Sequence, residues 1–403
     1  MNKKECRSCG GIDLKNVLSL GDSPLANNLT KHGEVAQKFP LEIKWCADCF
    51  NVQLSYVVPP EEMFKNYLYV SSTSKSFREH FNCAAKKYVE MFSLDGNSLV
   101  VDLGSNDGVF LKPMQELGVK VCGVEPAENI AKIALSNDIP TINKFFDETV
   151  VEEIAANFGK ADIVTASNVF AHADDLDGIA KNVLKILKED GTFIIEVQYL
   201  IDTIKDLTFD NIYHEHVNYW TVTSLEAFFS KRGLNINRVE HIDTHGGSIR
   251  VYSSRSPVKE YSVDSFLRDE ENFGVKNHRT YLAFADKVNE MKEAIKLNAA
   301  NLKTQYKKIY GYGSPAKATT ALNFYELDSS FLLATIEDNA LKHGKLIPYV
   351  NIPIISKEEA IKDYPDLIVV LAWNFFDEIV KSNKNLFPNT KFISIKDLEL
   401  LNF

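Results

Sequence analysis

One stretch, Leu99-Val100-Val101-Asp102-Leu103-Gly104-Ser105-Asn106-Asp107-Gly108, limits what this chain can fold into more than any other. An apolar run that ends in a polar glycine turn suits a buried parallel strand handing the chain to a helix across a ligand. Gly104 and Gly108 allow the backbone to approach that ligand where a side chain would block it. The turn has neither the Gly-Lys-Ser/Thr end of a phosphate-binding loop nor the three glycines of a dinucleotide fingerprint. Asp102 and Asp107 instead place acid beside it, which disfavours a pyrophosphate and suits a cationic ligand. One strand-helix-strand step later, Val121-Cys122-Gly123-Val124-Glu125 ends in a carboxylate placed to accept from ribose hydroxyls.

The pattern beyond Glu125 extends this unit into an open sheet. A helix is predicted from Asn129 to Ser136 and a short strand from Pro140 to Ile142, followed by Phe145-Phe146-Asp147, whose acid is placed for an adenine amino group. Asp162 to Asn168 reads as the fourth strand and Val169 to Asp175 as the turn beyond it. Ligands lie at the carboxyl ends of strands in such sheets, which puts Asn168 and His172 at the site. Gly191 to Val197 supplies a fifth strand. Leu234 to Ile242 and Ser248 to Ser253 flank Thr244-His245-Gly246-Gly247 as a closing hairpin, for seven strands in all.

Before that hairpin, Asp210-Asn211-Ile212-Tyr213-His214-Glu215-His216-Val217-Asn218-Tyr219-Trp220 crowds ionisable and phenolic groups into one segment. A solvated loop is the plain reading. A metal site is a second: His214 and His216 would share one face of an extended chain, but no third ligand stands at a recognisable spacing. Acid-base work fits better, with His216 titrating near neutral pH, Glu215 orienting or charge-balancing an imidazole, and Tyr213 donating to a developing oxyanion.

At 403 residues the chain exceeds one core, and the boundaries fall at 1–76, 77–255 and 256–403. A net charge of −10 argues against nucleic acid. The polar start and the lack of a long apolar run argue against a signal core or a membrane segment, so a cytoplasmic protein is expected. Cys6-Arg7-Ser8-Cys9 and Cys46-Ala47-Asp48-Cys49 have the paired spacing of a structural zinc site filled by four sulfurs. Gly21 to Asn27 between them should be ordered, and Cys83 and Cys122 are expected as ordinary buried thiols. The hydroxyl-rich segment Tyr67 to Ser74 is either a linker or a cover for an active site. Polar helices from Asn277 to Tyr306 look like a connector. Lys307 to Thr320 then repeats the strand-glycine-helix plan with a basic turn, in which Gly311, Gly313 and Lys317 suit a phosphate at a helix N-terminus. Strands at Phe331–Glu337 and Leu367–Ala372 complete a second α/β unit, and the two units' opposite local charge suggests two different nucleotide-like ligands.

The glycine turn with its strand-end acid resembles the class I methyltransferases that use S-adenosylmethionine, where the turn holds the methionine part and the acid the ribose. That resemblance implies a cofactor set of Asp102, Gly104, Asn106, Asp107, Gly108, Glu125, Asp147 and Asn168. The whole chain resembles the sugar C-methyltransferases. It carries, in order, the two C-x-x-C pairs, Tyr-x-Tyr-x-Ser-Ser from Tyr67, Asp-x-Gly-Ser-Asn-Asp-Gly from Asp102 and Tyr-His-Glu-His from Tyr213. His-Gly-Gly-Ser-Ile-Arg-Val-Tyr from His245 and Gly-x-Gly-Ser-Pro-Ala-Lys from Gly311 follow. The resemblance implies an α/β fold: a class I, Rossmann-like methyltransferase core between an N-terminal zinc-binding domain and a C-terminal Rossmann-like α/β domain that binds a sugar nucleotide. It implies methyl transfer to carbon 3 of a nucleoside-diphosphate-linked 4-keto-deoxysugar through a base-generated enolate. The active-site positions it implies are Tyr67, His172, Tyr213, Glu215 and His216, with His216 as base and Tyr213 as the other candidate. Tyr69, His245, Gly311, Gly313 and Lys317 are the expected substrate contacts, and a monomer or small homo-oligomer is expected. Methylation of an oxygen or nitrogen on another metabolite stays open as an alternative, as does a silent sugar-nucleotide sensor.

Overall fold

Regular burial alternation along β2 (Lys38–Cys46) marks a strand with one face against a core, and β2 pairs antiparallel with β1 (Leu14–Pro24). These strands belong to a computed structural model that describes residues 3–59, 63, 71–73, 75–244 and 246–401. β3 (Val52–Leu54) adds to β2 and is buried throughout.

The central sheet comprises β4 (Leu99–Leu103), β5 (Lys120–Val124), β6 (Thr141–Ile142), β7 (Ala161–Ser167) and β8 (Leu187–Gln198), with β10 (Asn235–Ile242) and β11 (Ser248–Ser254). β9 (Asn218–Tyr219), although its sequence lies within this domain, is the fourth strand of the N-terminal sheet, paired with β3. The order is β10-β11-β8-β7-β4-β5-β6, parallel except for β11, which runs antiparallel between β8 and β10. This is the seven-stranded sheet with a closing hairpin that the sequence predicts. All five residues of β4 are buried, which its apolar run explains.

The C-terminal sheet holds β12 (Ile309–Tyr312), β13 (Thr335–Ile336), β14 (Leu346–Ile347), β15 (Ile352–Ile355), β16 (Leu367–Val370) and β17 (Lys391–Ser394). Its order is β14-β15-β13-β12-β16-β17, so the strand order reverses at β12 just as it does at β4 in the central sheet. Each glycine turn therefore lies at a switch point, where open parallel sheets bind ligands.

The long helix His278–Gln305 is a core element where the sequence suggested a connector. It buries Tyr281, Phe284, Val288, Met291, Ile295, Ala299 and Leu302, a three-and-four spacing that makes one apolar stripe on an otherwise polar helix. That stripe joins one apolar core with Leu41 and Ile43 of β2, Phe209 and Ile212 of the central chain, and Leu322 and Val369 of the C-terminal unit. The preceding helix Tyr261–Phe273 packs Val263 into the core of the central sheet, which thus continues past residue 255. Cys122 is buried as expected, but Cys83 is exposed. On helix Lys75–Met91 the buried stripe is Phe77, Phe81, Ala84, Ala85 and Tyr88, and Cys83 falls outside it.

Candidate active site

The two cysteine pairs meet. Their four sulfurs lie within 4.8 Å of one another, with Cys6–Cys49 at 3.5 Å and Cys9–Cys46 at 3.7 Å. A tetrahedral zinc with bonds of about 2.3 Å sets its sulfurs roughly 3.8 Å apart, a spacing that the two closest pairs match. Hydrogen bonding to Cys46, then burial, raises the pKa of Cys6 and Cys49, as expected of sulfurs that cannot all ionise without a cation among them. The Gly11 amide donates to Cys9 Sγ at 3.3 Å.

At the first glycine turn φ is positive at Gly104 (62°), Asn106 (50°) and Gly108 (82°). A Cβ on Gly104 would stand 2.4 Å from Val169, and one on Gly108 2.3 Å from Ile139. The close neighbours that exclude a side chain are thus protein groups, where the sequence pointed to a ligand. Glu125 braces the turn, its Oε2 accepting from the Asn106 amide at 3.0 Å and its Oε1 from the Ala127 amide at 2.8 Å. Burial raises its pKa. Asp102 is a buried strand residue whose Oδ1 accepts from Thr165 Oγ1 at 2.6 Å, and burial pushes its carboxyl up to about 7. It therefore contributes less negative charge than its position in the sequence suggests.

Asp107 Oδ2 accepts from the Ser72 amide at 3.3 Å, and Asn106 Oδ1 from the Ser71 amide at 2.9 Å. The end of the hydroxyl-rich segment thus docks on the turn. Asp107 Oδ1 and Ser105 Oγ are buried without a hydrogen-bond partner among the described residues. Such atoms call for a polar ligand, and they fit the polar end of S-adenosylmethionine. Asn168 (φ 56°) ends β7 with its amide donating to the Glu196 carbonyl at 2.8 Å. Asp147 is exposed, and its Oδ1 caps helix Glu148–Asn157 through the Thr149 and Val150 amides, a role that accounts for the residue without a ligand. The residue tied to Glu125 here is Asn143, whose Nδ2 donates to the Glu125 carbonyl at 2.8 Å.

At the carboxyl end of the central sheet, His216 and Tyr213 form a pair. Tyr213 Oη lies 2.8 Å from His216 Nε2, and His216 Nδ1 lies 2.8 Å from the Asn211 carbonyl. A carbonyl only accepts, so the network assigns the hydrogen to Nδ1 and leaves Nε2 as acceptor for the tyrosine hydroxyl. His216 is buried behind a half-buried Tyr213. The His172 ring packs edge-on to His216 with centroids 4.8 Å apart. Burial lowers His172 to about 4, so it is neutral at pH 7, with backbone contacts from Glu215 and Asn168.

Glu215 orients neither imidazole with its carboxylate. Its Oε1 accepts from Asn27 Nδ2 at 2.6 Å, and burial pushes it up to about 7. His214 points the other way, with Nε2 3.3 Å from the Phe39 carbonyl and its ring edge-on to Phe39. The His216 amide donates to the Tyr213 carbonyl, closing a turn, so His214 and His216 do not share the face that an extended chain would give them. Among the described residues the four cysteines are the only metal-type cluster.

The other two domains reach into this region. Arg7, inside the first cysteine pair, donates to Asp174 Oδ1 and to the Leu54 carbonyl, each at 2.8 Å. Asp174 stands two residues beyond His172, and the Val217 amide donates to the Ala171 carbonyl at 3.0 Å. Lys317 lies in the first turn of helix Ala316–Tyr325, with Nζ 4.5 Å from the Trp373 ring centroid. Burial pulls it down to about 8, with Asp210 opposing and Lys396 adding to the fall. Gly313 occupies the turn (φ 84°), but Gly311 lies inside β12, where a Cβ would come 3.0 Å from Leu371 and Thr335. Gly311 is thus a strand-packing glycine. Tyr67, Tyr69 and His245 lie outside the described residues. Asn27, Asn211 and Trp373 bear no motif, and only their contacts disclose them.

Three family models tile the chain: "Putative zinc binding domain" over residues 6–64, "Methyltransferase domain" over 76–239 and "C-methyltransferase C-terminal domain" over 243–395. The C-methyltransferase NovU of Streptomyces niveus is 34% identical over 391 residues, 96% of this chain and 93% of that protein. The mitochondrial ubiquinone biosynthesis O-methyltransferase of Homo sapiens is 25% identical over 158 residues, 35% of this chain and 42% of that one. The crystal structure of magnesium protoporphyrin IX methyltransferase from Synechocystis covers 44% of this chain and 79% of its own, with 15% identity and a TM-score of 0.34. The likeness to NovU over nearly the full chain and the three family models together show what the chain is: the protein is an S-adenosylmethionine-dependent methyltransferase with a zinc-binding domain, and it belongs to the family of C-methyltransferases.

Proposed function

We propose that this enzyme methylates the carbon next to the ketone of a nucleoside-diphosphate-linked 4-keto-deoxysugar, carbon 3 in the reading its motifs imply. One observation carries this: Tyr213 Oη held 2.8 Å from a His216 Nε2 whose other nitrogen is fixed to a carbonyl. Transfer to oxygen, nitrogen or carbon releases a proton in each case, but oxygen and nitrogen attack with a lone pair they already carry, whereas carbon becomes a nucleophile only after a positioned base removes its C–H proton. Tyr213, the more accessible member, meets the substrate and His216 takes the proton, either through the hydroxyl or directly.

The pair of electrons left on carbon moves onto the 4-keto oxygen, giving an enolate. Neutral His172 packs edge-on against the pair. Proton removal of this kind is worth typically ~10²–10⁴-fold. S-adenosylmethionine, when bound, supplies an electrophilic methyl group on sulfur and leaves as S-adenosylhomocysteine. Glu125, Asn106, Asp107 and Ser105 would hold it, with Glu125 at the ribose. Lys317 and the Gly313 turn, in a separate domain, receive the diphosphate, so that remote binding energy fixes the reacting carbon.

The test is solvent deuterium exchange into thymidine- and guanosine-diphosphate-linked 4-keto-6-deoxyhexoses with S-adenosylhomocysteine present. The native enzyme should label one neighbour of the ketone. Both neighbours are acidified alike, so the labelled position also distinguishes carbon 3 from carbon 5. His216→Ala should abolish labelling, and Tyr213→Phe should reduce it strongly. A His216→Ala enzyme that labels at the native rate would refute the assignment.

A further inference from the structure

The base pair sits in the central domain, yet the turn that orients it is gripped from the C-terminal domain. Three consecutive residues make the link. Phe209 packs on Phe324 and Tyr325 of helix Ala316–Tyr325, with centroids 4.9 and 5.3 Å away. Asp210 Oδ2 accepts from Trp373 Nε1 at 2.6 Å, and its buried carboxylate faces the charges of Lys317 and Lys396. Asn211 supplies the carbonyl that holds His216 Nδ1, while Gln198 Nε2 secures its side chain at 3.1 Å.

Trp373 follows β16 at the switch point of the C-terminal sheet. Lys317 and Lys396 place their Nζ atoms 4.5 and 4.8 Å from its ring centroid. On another side, Gly246 comes so close that a Cβ there would stand 2.7 Å from Trp373 Cη2. The half-buried indole thus meets two lysines of its own domain and two loops of the central one. An aromatic donor to a buried carboxylate is a short, charge-assisted hydrogen bond with one good geometry.

From these contacts we infer that Trp373 and Asp210 are positioning residues: the Trp373–Asp210 hydrogen bond sets the Phe209–Asn211 turn so that the Asn211 carbonyl holds His216 in the tautomer protonated at Nδ1, with Nε2 accepting from Tyr213. The inference rests on the assignment of His216 and Tyr213 to proton removal. It adds that the domain carrying Lys317 governs the readiness of the base as well as the hold on the substrate. Lys317 is shared between Asp210 and the turn assigned to the diphosphate, so an arriving anion bears directly on this link.

Trp373→Phe keeps the ring and removes the donor, and Asp210→Asn keeps an acceptor and removes the charge. Proteins labelled with ¹⁵N-histidine are compared by long-range ¹H–¹⁵N spectra, with the His216 signal assigned from its loss in His216→Ala. The native protein should show one tautomer, protonated at Nδ1. In Trp373→Phe the His216 signals should move to a mixture of tautomers, and deuterium exchange should fall on the order of tenfold to a hundredfold with a shifted pH profile. Affinity for S-adenosylhomocysteine and zinc content should stay native. Should Trp373→Phe fail to fold, Asp210→Leu, which removes the acceptor along with the charge, carries the same comparison. An unchanged tautomer and pH profile in the folded variants would overturn the link while leaving the base assignment intact. Native exchange by His216→Ala would remove the base assignment, and the tautomer spectra would still decide the link.

Discussion

Glu215 sits where a carboxyl is cheaper neutral than charged. Burial raises it to about 7, and its hydrogen bond from Asn27 offsets only part of that effect. Below the unfolded pKa both states hold the proton and nothing is lost. As pH rises from about 4.5 to 7 the unfolded chain releases a proton that the folded chain keeps, so stability falls across that window, by on the order of 3 kcal/mol at most. Glu215→Gln removes the dependence while keeping an acceptor for Asn27. Melting curves should show the variant gaining on the native protein from pH 5 to pH 7.5, and a constant difference would contradict the buried-carboxyl account. Glu125 differs in kind, because its two oxygens brace the glycine turn and it is also the residue proposed for the ribose. Glu125→Ala should weaken S-adenosylhomocysteine binding by about 1.5–3 kcal/mol in calorimetry, with Glu125→Gln in between. These two glutamates were legible as candidates, since each stands in a recognisable motif. The partner of Glu215 was not: Asn27 is 188 positions from Glu215 along the chain, and no local pattern announces that contact.

At the level of elements, the zinc unit is a wall of the proposed active site. β3 pairs with β9, which continues directly from the Tyr213–His216 turn. Arg7, with 2% of its side chain exposed, ties the first cysteine pair to Asp174 beyond His172. All four metal positions are filled by sulfur, so zinc takes no part in the chemistry, but its loss frees Arg7 and the edge that β9 rests on. Stripping zinc with a chelator should therefore lower the melting temperature and the exchange rate together, measured beside metal content. Arg7→Met should keep its zinc yet lose about 1–3 kcal/mol of stability, because the Leu54 carbonyl and Asp174 lose a charged donor. Full retention of stability would show that the knuckle and the His172 turn are independent. The paired cysteine spacing announced the metal. The pairing of β3 with a two-residue strand over 160 positions later carries no sequence signal, because so short a strand has no period to read.

Over the whole molecule, the N-terminal sheet, the Phe209–Val217 segment, the long helix and the C-terminal sheet share one apolar core. A chain ending at residue 255 would keep the central sheet but expose Leu41, Phe209 and Ile212 where Tyr281, Val288 and Leu322 now cover them. Such a truncation should be insoluble or molten by circular dichroism and gel filtration, and a well-folded soluble product would mean that the shared core is dispensable. The helix His278–Gln305 reads from sequence as a connector because its surface is mostly polar; a single stripe suffices when partners from three domains close around it. The sequence by itself determined the strands of the central domain and their closing hairpin, the zinc ligands and the two glycine turns. Those features depend on local conformation, periodicity and short spacings, which adjacent residues encode. Only the tertiary structure decided that Tyr213 stands in front of His216, that the carboxylate of Glu215 turns to Asn27, and that Trp373 grips Asp210. These depend on which side chains meet across separate elements, where burial and hydrogen-bond direction, acting between residues far apart in the chain, select one arrangement.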